Sequence, residues 1–426
     1  MSRSLIVAAL LCFLASPGFA QDGRKVVHAG RMIDVISGKT LADRAIWIDG
    51  ERIERIDAWS TAAPGITVID WSDYTVVPGL MDMHSHLVGD IQGADSMSLL
   101  ASSGAQDVML GVRHARATLR AGFTSVRDVG TYRAWVDVTL RDAIDEGIVP
   151  GPRMSVAGAY VTVSSGGGEL VGAAPDVVIP ADMRRGVANS ADEVRQRVRE
   201  LLHGGADFIK IIATGAVLTA GTTPGAPEYS EAEIRAAVEE AARYGTYVTA
   251  HAHGAEGIKL AVRAGVRSIE HGSLIDDEGI ALMKRNGTWL VADVYNGDYI
   301  EEVGRRDGWS AEILRKNLET TEAQREGFRK AVKAGVNIAY GTDAGVYPHG
   351  LNARQFAYMV RFGMSPLQAL RSATIDAARL MRHEENSGSI EAGKYADLVA
   401  VKGDVLADIS LLEHVAAVIK GGQPLE

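Results

Sequence analysis

Two imidazoles one residue apart, His84 and His86, close the apolar run Val76–Met83. Side chains alternate along an extended strand, so both rings of a His-x-His leave the same face and can bring two nitrogens to one cation. The pattern recurs as His251-Ala252-His253, and two more apolar runs end in Glu270-His271-Gly272 and Gly341-Thr342-Asp343-Ala344. Lys210 stands inside a fifth run, Phe208-Ile209-Lys210-Ile211-Ile212. An ammonium in a buried strand is costly unless paired, and burial favours the neutral amine. A neutral amine can attack a carbonyl, form a Schiff base, or add carbon dioxide to become a carbamate whose two oxygens can bridge two cations. Taken singly, each residue has an ordinary alternative: a satisfied core histidine, or a lysine paired with a nearby carboxylate. Together, imidazoles, amine and carboxylate at the ends of five runs form a hard-to-borderline ligand set that suits Zn²⁺, with Mn²⁺, Co²⁺ or Fe²⁺ as alternatives.

Such residues converge only if the runs are neighbours. Between residues 76 and 342 the chain repeats a short apolar run, a loop and a helix-length periodic segment. The runs are Val76–Met83, Thr124–Val129, Arg153–Ala159, Phe208–Ala213, Tyr247–His251, Ser268–His271, Trp289–Val294 and Asn337–Thr342. Glycines that suit left-handed helix ends (Gly122, Gly205, Gly245, Gly265, Gly335) stand just before several of them. Eight near-continuous apolar strands alternating with helices predict a parallel (β/α)8 TIM barrel, whose strands deliver their C-terminal residues to one mouth. A doubly wound open sheet is the alternative, but no phosphate-binding glycine fingerprint opens the first unit. Strand-rich segments at both ends predict a small discontinuous β-sandwich from residues 21–79 plus 388–426, with the barrel spanning 80–387.

Residues 1–20 differ from the rest. Arg3, the apolar run Leu5–Ala15 and the small residues of Gly18-Phe19-Ala20 read as a secretory signal peptide, which predicts an exported, periplasmic or secreted protein. The only cysteine, Cys12, lies within it, so the mature chain has neither a thiolate nucleophile nor Cys-ligated zinc. The net charge of −10 gives no basic face for nucleic acid or an anionic membrane surface.

The stretches Pro78-Gly79-Leu80-Met81-Asp82-Met83-His84-Ser85-His86, Ala250-His251-Ala252-His253-Gly254, Ser268-Ile269-Glu270-His271-Gly272, Gly341-Thr342-Asp343-Ala344-Gly345 and the tail Gly388–Leu398 resemble the amidohydrolase superfamily. Within it they look like the imidazolonepropionase-like branch of dipeptidases and prolidases, and most like its bacterial ochratoxin-degrading members. The resemblance implies that His84 and His86 hold one metal, that Lys210 as a carbamate bridges it to a second held by His251 and His271, and that Asp343 binds the first. It places His253 outside the metal shell, near the substrate. The segment Thr214–Gly225, which contains Val217, departs from the family's commoner Ser-Gly-Gly loop, and its small residues suit either a movable lid over a bulky acyl group or a flexible surface loop.

The chemistry so implied is metal-assisted amide hydrolysis. Asp343 takes a proton from the attacking water and passes it to the leaving nitrogen, while His253 hydrogen-bonds the oxyanion or a substrate carboxylate. Arg127, Tyr160, Tyr295 and Val217 are candidate substrate contacts, with an internal Arg127–Asp128 ion pair as the alternative for Arg127. The expected substrate is an amide or dipeptide whose amine is an amino acid with a free carboxylate, ochratoxin A included. Competing readings are an Xaa-Pro or Xaa-Arg dipeptidase without ochratoxinase activity, a mononuclear deaminase or cyclic amidase, which would not need Lys210, and a non-catalytic binding protein. Relatives are commonly oligomeric, so a homo-oligomer is expected.

Overall fold

The chain enters through four strands, β1 (Lys25–Asp34), β2 (Lys39–Asp49), β3 (Arg52–Ala58) and β4 (Thr67–Pro78), in a computed structural model that describes residues 24–62, 64–89, 96–174 and 176–425. The expected signal segment lies outside the described residues. At Gly79 the chain passes from this sheet into the barrel. A side chain there would meet Thr124 Oγ1 at 2.1 Å and the Asp397 Cβ at 2.8 Å, so only glycine allows the crossing. The run read as one strand, Val76–Met83, is therefore divided between two domains.

The barrel strands are β5 (Leu80–Ser85), β6 (Phe123–Asp128), β7 (Arg153–Val156), β8 (Tyr160–Val161), β9 (Ile209–Ile212), β10 (Val248–Gly254), β11 (Ser268–Leu274) and β12 (Trp289–Val291). They form two parallel sheets, β5-β6-β7 and β8-β9-β10-β11-β12. The expected third strand, Arg153–Ala159, is bent at Ala157–Ala159, so that β7 pairs with β6 and β8 with β9. The expected eighth strand, Asn337–Thr342, makes no ladder. It still bridges the remaining gap: Leu290 N donates to Asn337 O and Met83 N to Tyr340 O. Asp82 reinforces this seam, accepting from Thr342 N at 3.1 Å and from Asn352 Nδ2 at 2.8 Å. The result is a TIM-type barrel with one extra sheet.

Helices follow the strands in turn: α1 (Gly104–Arg120), α2 (Val136–Asp145), α3 (Ala191–His203), α4 (Glu231–Arg243), α5 (Ala255–Ala264), α6 (Asp277–Asn286), α7 (Asn296–Asp307) and α8 (Ala311–Ala334). Shorter helices α9 (Arg354–Arg361), α10 (Pro366–Ser372) and α11 (Ile375–Met381) complete the set. The five glycines expected before strands all have positive φ, between 74° and 104°. Apolar faces of α3, α4 and α5 (Val194, Val198, Ile234, Ile258, Val262) pack on the strand residues Ile209, Ile211, Ala250 and Ile269 in one core.

After α11 the chain returns to the first sheet as β13 (Leu398–Val401), β14 (Val415–Lys420) and β15 (Gln423–Pro424). The order is β15-β14-β13-β4-β1-β2-β3, so the strands from both termini form one hydrogen-bonded sheet, the small discontinuous β-domain expected. Its β3 edge folds back toward the middle of the sheet, where Arg52 bridges Tyr395, just before β13. Val27, Ile46, Ile53, Trp71, Leu398 and Ile419, one from each of six strands, share the enclosed core. Curling lets one sheet bury an apolar face without a second layer.

Candidate metal centre and active site

The strand ends bring His84, His86, Lys210, His251, His253, His271 and Asp343 around one cavity of about 120 Å³, open to solvent. The positions follow from strand parity. His84 and His86 flank Ser85 at the end of β5, and His251 and His253 leave the same face of β10. Each ring is turned by a partner on its other nitrogen. His84 Nδ1 lies 2.8 Å from Glu270 Oε2, and His86 Nδ1 lies 2.9 Å from Gly130 O. Their Nε2 atoms therefore face inward, each 3.3 Å from Asp343 Oδ1. His271 Nδ1 is held 3.0 Å from Asp293 Oδ1, and His253 Nδ1 lies 2.8 Å from Ser273 Oγ. Such supporting bonds fix ring orientation and tautomer at metal sites.

Two backbone positions show what this convergence demands. His271 has φ 67° and Asp343 has φ 58°, left-handed conformations that side-chain-bearing residues seldom adopt. Strain of this kind collects at sites where the surroundings over-determine the geometry. Asp343 is pinned through its N–H to His84 O at 2.7 Å, which ties the last strand end to the first.

Among the described residues, three groups of side chains offer ligand atoms within 4.8 Å of one another: His84, His86 and Asp343; His251, His253 and His271; and His271, Asp293 and Asp343. Lys210 lines the same cavity, 1% exposed, and its Nζ has no hydrogen-bond partner. A buried amine without a partner is costly, and a cation-bridging carbamate on it would remove the deficit. The residues present therefore fit a metal pair. Burial, opposed by Glu270, pulls the Lys210 ammonium down to about 8, so a sizeable neutral fraction exists near neutral pH. Burial, with His271 beside it, brings His253 down to about 3, and burial with His253 and His271 pulls His251 well below the ordinary imidazole range. These two rings are neutral, as ligands must be. Burial pushes the Asp343 carboxyl up, but His84, His86 and His271 outweigh it and hold the group well below the usual carboxylate range.

The candidate substrate contacts divide. Tyr160 and Val217 line the cavity, the Tyr160 hydroxyl 3.2 Å from His86 Nδ1. Arg127 and Tyr295 do not. Arg127 is wholly buried inside the barrel, donating to Met83 O at 2.7 Å, Ser268 Oγ at 3.1 Å and Glu270 Oε1 at 2.6 Å. It forms an internal ion pair, with Glu270 rather than Asp128, whose carboxylate instead accepts from Leu87 N and Gly130 N. Tyr295 packs edge-to-face with Tyr347 and Tyr358 and accepts from Arg354. The ligand atom of His253 groups with those of His251 and His271.

Three contributors were not singled out from sequence. Asp293 follows the seventh strand end and holds His271, and a carboxylate at a strand end was the available signal. Asn296 Nδ2 donates to both Asp343 Oδ2 at 2.9 Å and Asp293 Oδ2 at 3.1 Å. Gln324, from the middle of α8, donates to His271 O at 3.2 Å and Asp293 Oδ1 at 2.7 Å. Nothing local marks either amide.

Comparison with known proteins agrees with this geometry. The amidohydrolase family pattern matches residues 75–425. The ochratoxinase of Aspergillus niger is 33% identical over 369 residues, covering 82% of this chain and 75% of that protein. Among solved structures, a Xaa-Pro dipeptidase with methionine bound in its active site superposes with a TM-score of 0.90 at 41% identity, over 95% of this chain and 100% of that one. A. niger ochratoxinase superposes with a TM-score of 0.81 at 29% identity, over 94% of this chain and 95% of that one. The chain belongs to the amidohydrolase family and is a hydrolase of amide or peptide bonds.

Proposed function

We propose that this enzyme is an exported, binuclear hydrolase that cleaves the amide bond between an acyl group and an amino acid bearing a free carboxylate, such as N-acyl amino acids, dipeptides and ochratoxin A. The observation that carries the binuclear reading is Lys210, buried and unpartnered among His84, His86, His251, His271 and Asp343. Two divalent ions, zinc by the chemistry of the donors, would be held by these residues with Lys210 as a carbamate. Bound there, they would supply a water acidic enough to attack at neutral pH and a Lewis acid for the carbonyl.

The chain's own residues do the rest. Asp343 is ionised, and Asn296 fixes its Oδ2, so its position is set for taking a proton and returning it to the leaving nitrogen. His253 Nδ1 lies 2.8 Å from Ser273 Oγ, and in the tautomer that carries its proton on Nε2 the neutral ring can donate to the developing oxyanion. A substrate carboxylate meets neutral donors here, since Arg127 is spent on Glu270. Tyr132, Thr219, Thr320 and Thr321 add hydroxyl side chains to the cavity lining.

The likeness to a Xaa-Pro dipeptidase supports a second reading, in which short dipeptides are the substrates and ochratoxin A is not. One assay separates the two: ochratoxin A, N-acetyl-phenylalanine and a Xaa-Pro dipeptide, each beside its C-terminal carboxamide, with metal analysis of the same sample. Release of phenylalanine from ochratoxin A with close to two ions per chain is expected. Equal kcat/KM for acid and carboxamide would remove the carboxylate requirement. Cleavage of the dipeptide alone would favour the second reading.

A further inference from the structure

One part of the cavity lining is apolar. It is made by Val217 and Leu218 of the 214–225 loop, Ile300 of α7 and Val346 of the loop after Asp343. Leu218 packs with Ile300, Ile313 and Val346, so four separate elements meet at this wall. The loop is short of apolar anchors of its own. Thr222 Oγ1 folds it by bonding Ala216 O at 3.1 Å and Thr219 O at 2.9 Å.

What fastens the loop to the body is a buried cation. Lys316, in the first turns of α8, is 1% exposed. Its Nζ donates to Thr219 O at 2.8 Å and lies 2.7 Å from Glu312 Oε1. The same Glu312 oxygen accepts from Gly221 N at 2.9 Å. One helical turn thus holds the loop at two backbone groups of opposite polarity. The Lys316 ammonium is buried while the Glu312 side chain is half-exposed, so removing Glu312 would leave a buried cation with Thr219 O as its remaining partner here. The segment that suits a lid in the sequence is a clamped wall in the structure.

Eight residues further along α8, Gln324 bonds His271 O and Asp293, beside the reacting centre. At 1.5 Å per residue the helix separates these two fastenings by about 12 Å. One rigid element therefore sets the distance between the ligand cluster and the apolar wall.

We propose that Lys316, acting through Glu312 and the backbone of the 214–225 loop, is a positioning residue for substrate selection: it fixes an apolar wall that receives a bulky apolar group of the amide substrate. This rests on the amide-hydrolase reading of the same cavity. Small acyl and aminoacyl groups leave the wall untouched and gain nothing from it. A large aromatic group spans to it, and its burial adds binding free energy in proportion to area.

The test measures kcat and KM for N-acetylglycine, N-acetyl-phenylalanine and N-naphthoylglycine with the wild-type holoenzyme, Lys316→Met and Glu312→Gln. Methionine keeps the length of the stem and deletes the charge. At least a tenfold wild-type preference in kcat/KM is expected for one bulky substrate over N-acetylglycine, and which one identifies the end of the substrate that meets the wall. In Lys316→Met that preference collapses through a roughly tenfold rise in KM for the bulky substrate, with kcat on N-acetylglycine falling less than threefold. Glu312→Gln shifts KM in the same direction by a smaller factor and serves if Lys316→Met does not fold. A parallel fall of all three activities, or an unchanged preference in both variants, overturns the proposal. Failure of the wild type to cleave any of the three would count against the amide substrate reading instead.

Discussion

Glu270 gives one carboxylate oxygen to His84 and the other to Arg127: Oε2 lies 2.8 Å from His84 Nδ1, and Oε1 accepts from Arg127 Nη2 at 2.6 Å. Thr249 and Ser268 also donate to Oε1, so the anion is fully satisfied inside the barrel. Burial raises its carboxyl, but the Arg127 charge and the His84 bond hold it well below the usual range. It remains an anion that turns His84 Nε2 toward the centre.

Arg127→Leu should therefore act on stability and metal retention, not on substrate affinity. Leaving Glu270 buried without its cation should cost about 3–5 kcal/mol, read as a lower denaturation midpoint, together with faster loss of metal to a chelator. KM for a substrate and for its carboxamide should change in step. A rise confined to the carboxylate substrate would make Arg127 the substrate anchor after all.

Lys210→Ala should leave a folded protein without measurable turnover. In metal-stripped wild type, reconstitution should depend on bicarbonate and quicken as pH rises toward and past about 8, because only the neutral amine adds carbon dioxide. At pH 7 roughly a tenth of such a group is neutral, and at pH 9 roughly nine tenths. Rates that are flat over this range, or a Lys210→Ala enzyme with both ions and normal activity, would exclude the carbamate.

Asp343→Asn should lower kcat by at least about 10²-fold, the scale expected for a lost general acid–base. Metal content should change less. Asn296→Ala removes the donor on Asp343 Oδ2 and should give a smaller loss, in kcat more than KM. Comparable defects in KM alone would place both residues in binding.

Glu228 supplies a stability prediction away from the metal ligands. Burial, only partly offset by the Gly167 N–H, raises its carboxyl from 4.5 to about 7. The stability contributed by its neutral form is complete below pH 4.5 and is lost as pH rises through 7. Glu228→Gln keeps a neutral group at every pH, so the variant should gain on wild type between pH 5 and 8. The gain should be on the order of 1–2 kcal/mol after allowance for partial exposure. Parallel melting curves across this range would show that the carboxyl ionises freely.

The ligand cluster was legible in the sequence because it is written in local terms. His84/His86 and His251/His253 obey the period of a strand, and Lys210, His271 and Asp343 each end or interrupt an apolar run. Barrel topology then takes strand ends to one mouth whatever the details. Parity along a strand, however, says nothing about depth or about what stands across the barrel. Arg127 shares β6 with residues near the mouth, yet it lies inward, because Glu270, 143 residues away in sequence, is the anion within its reach. Tyr295 was drawn to Tyr347 and Tyr358 for the same reason. The single curled sheet, the divided third strand and the clamp from Lys316 to the loop all arise from contacts between segments far apart in the chain. The sequence by itself determined which residues could bind cations and that eight strands would gather them. Only the tertiary structure decided which polar groups face the cavity and which are consumed in holding it together, because a buried charge goes to the nearest partner that satisfies it, and nearness across a barrel is not encoded in any one segment.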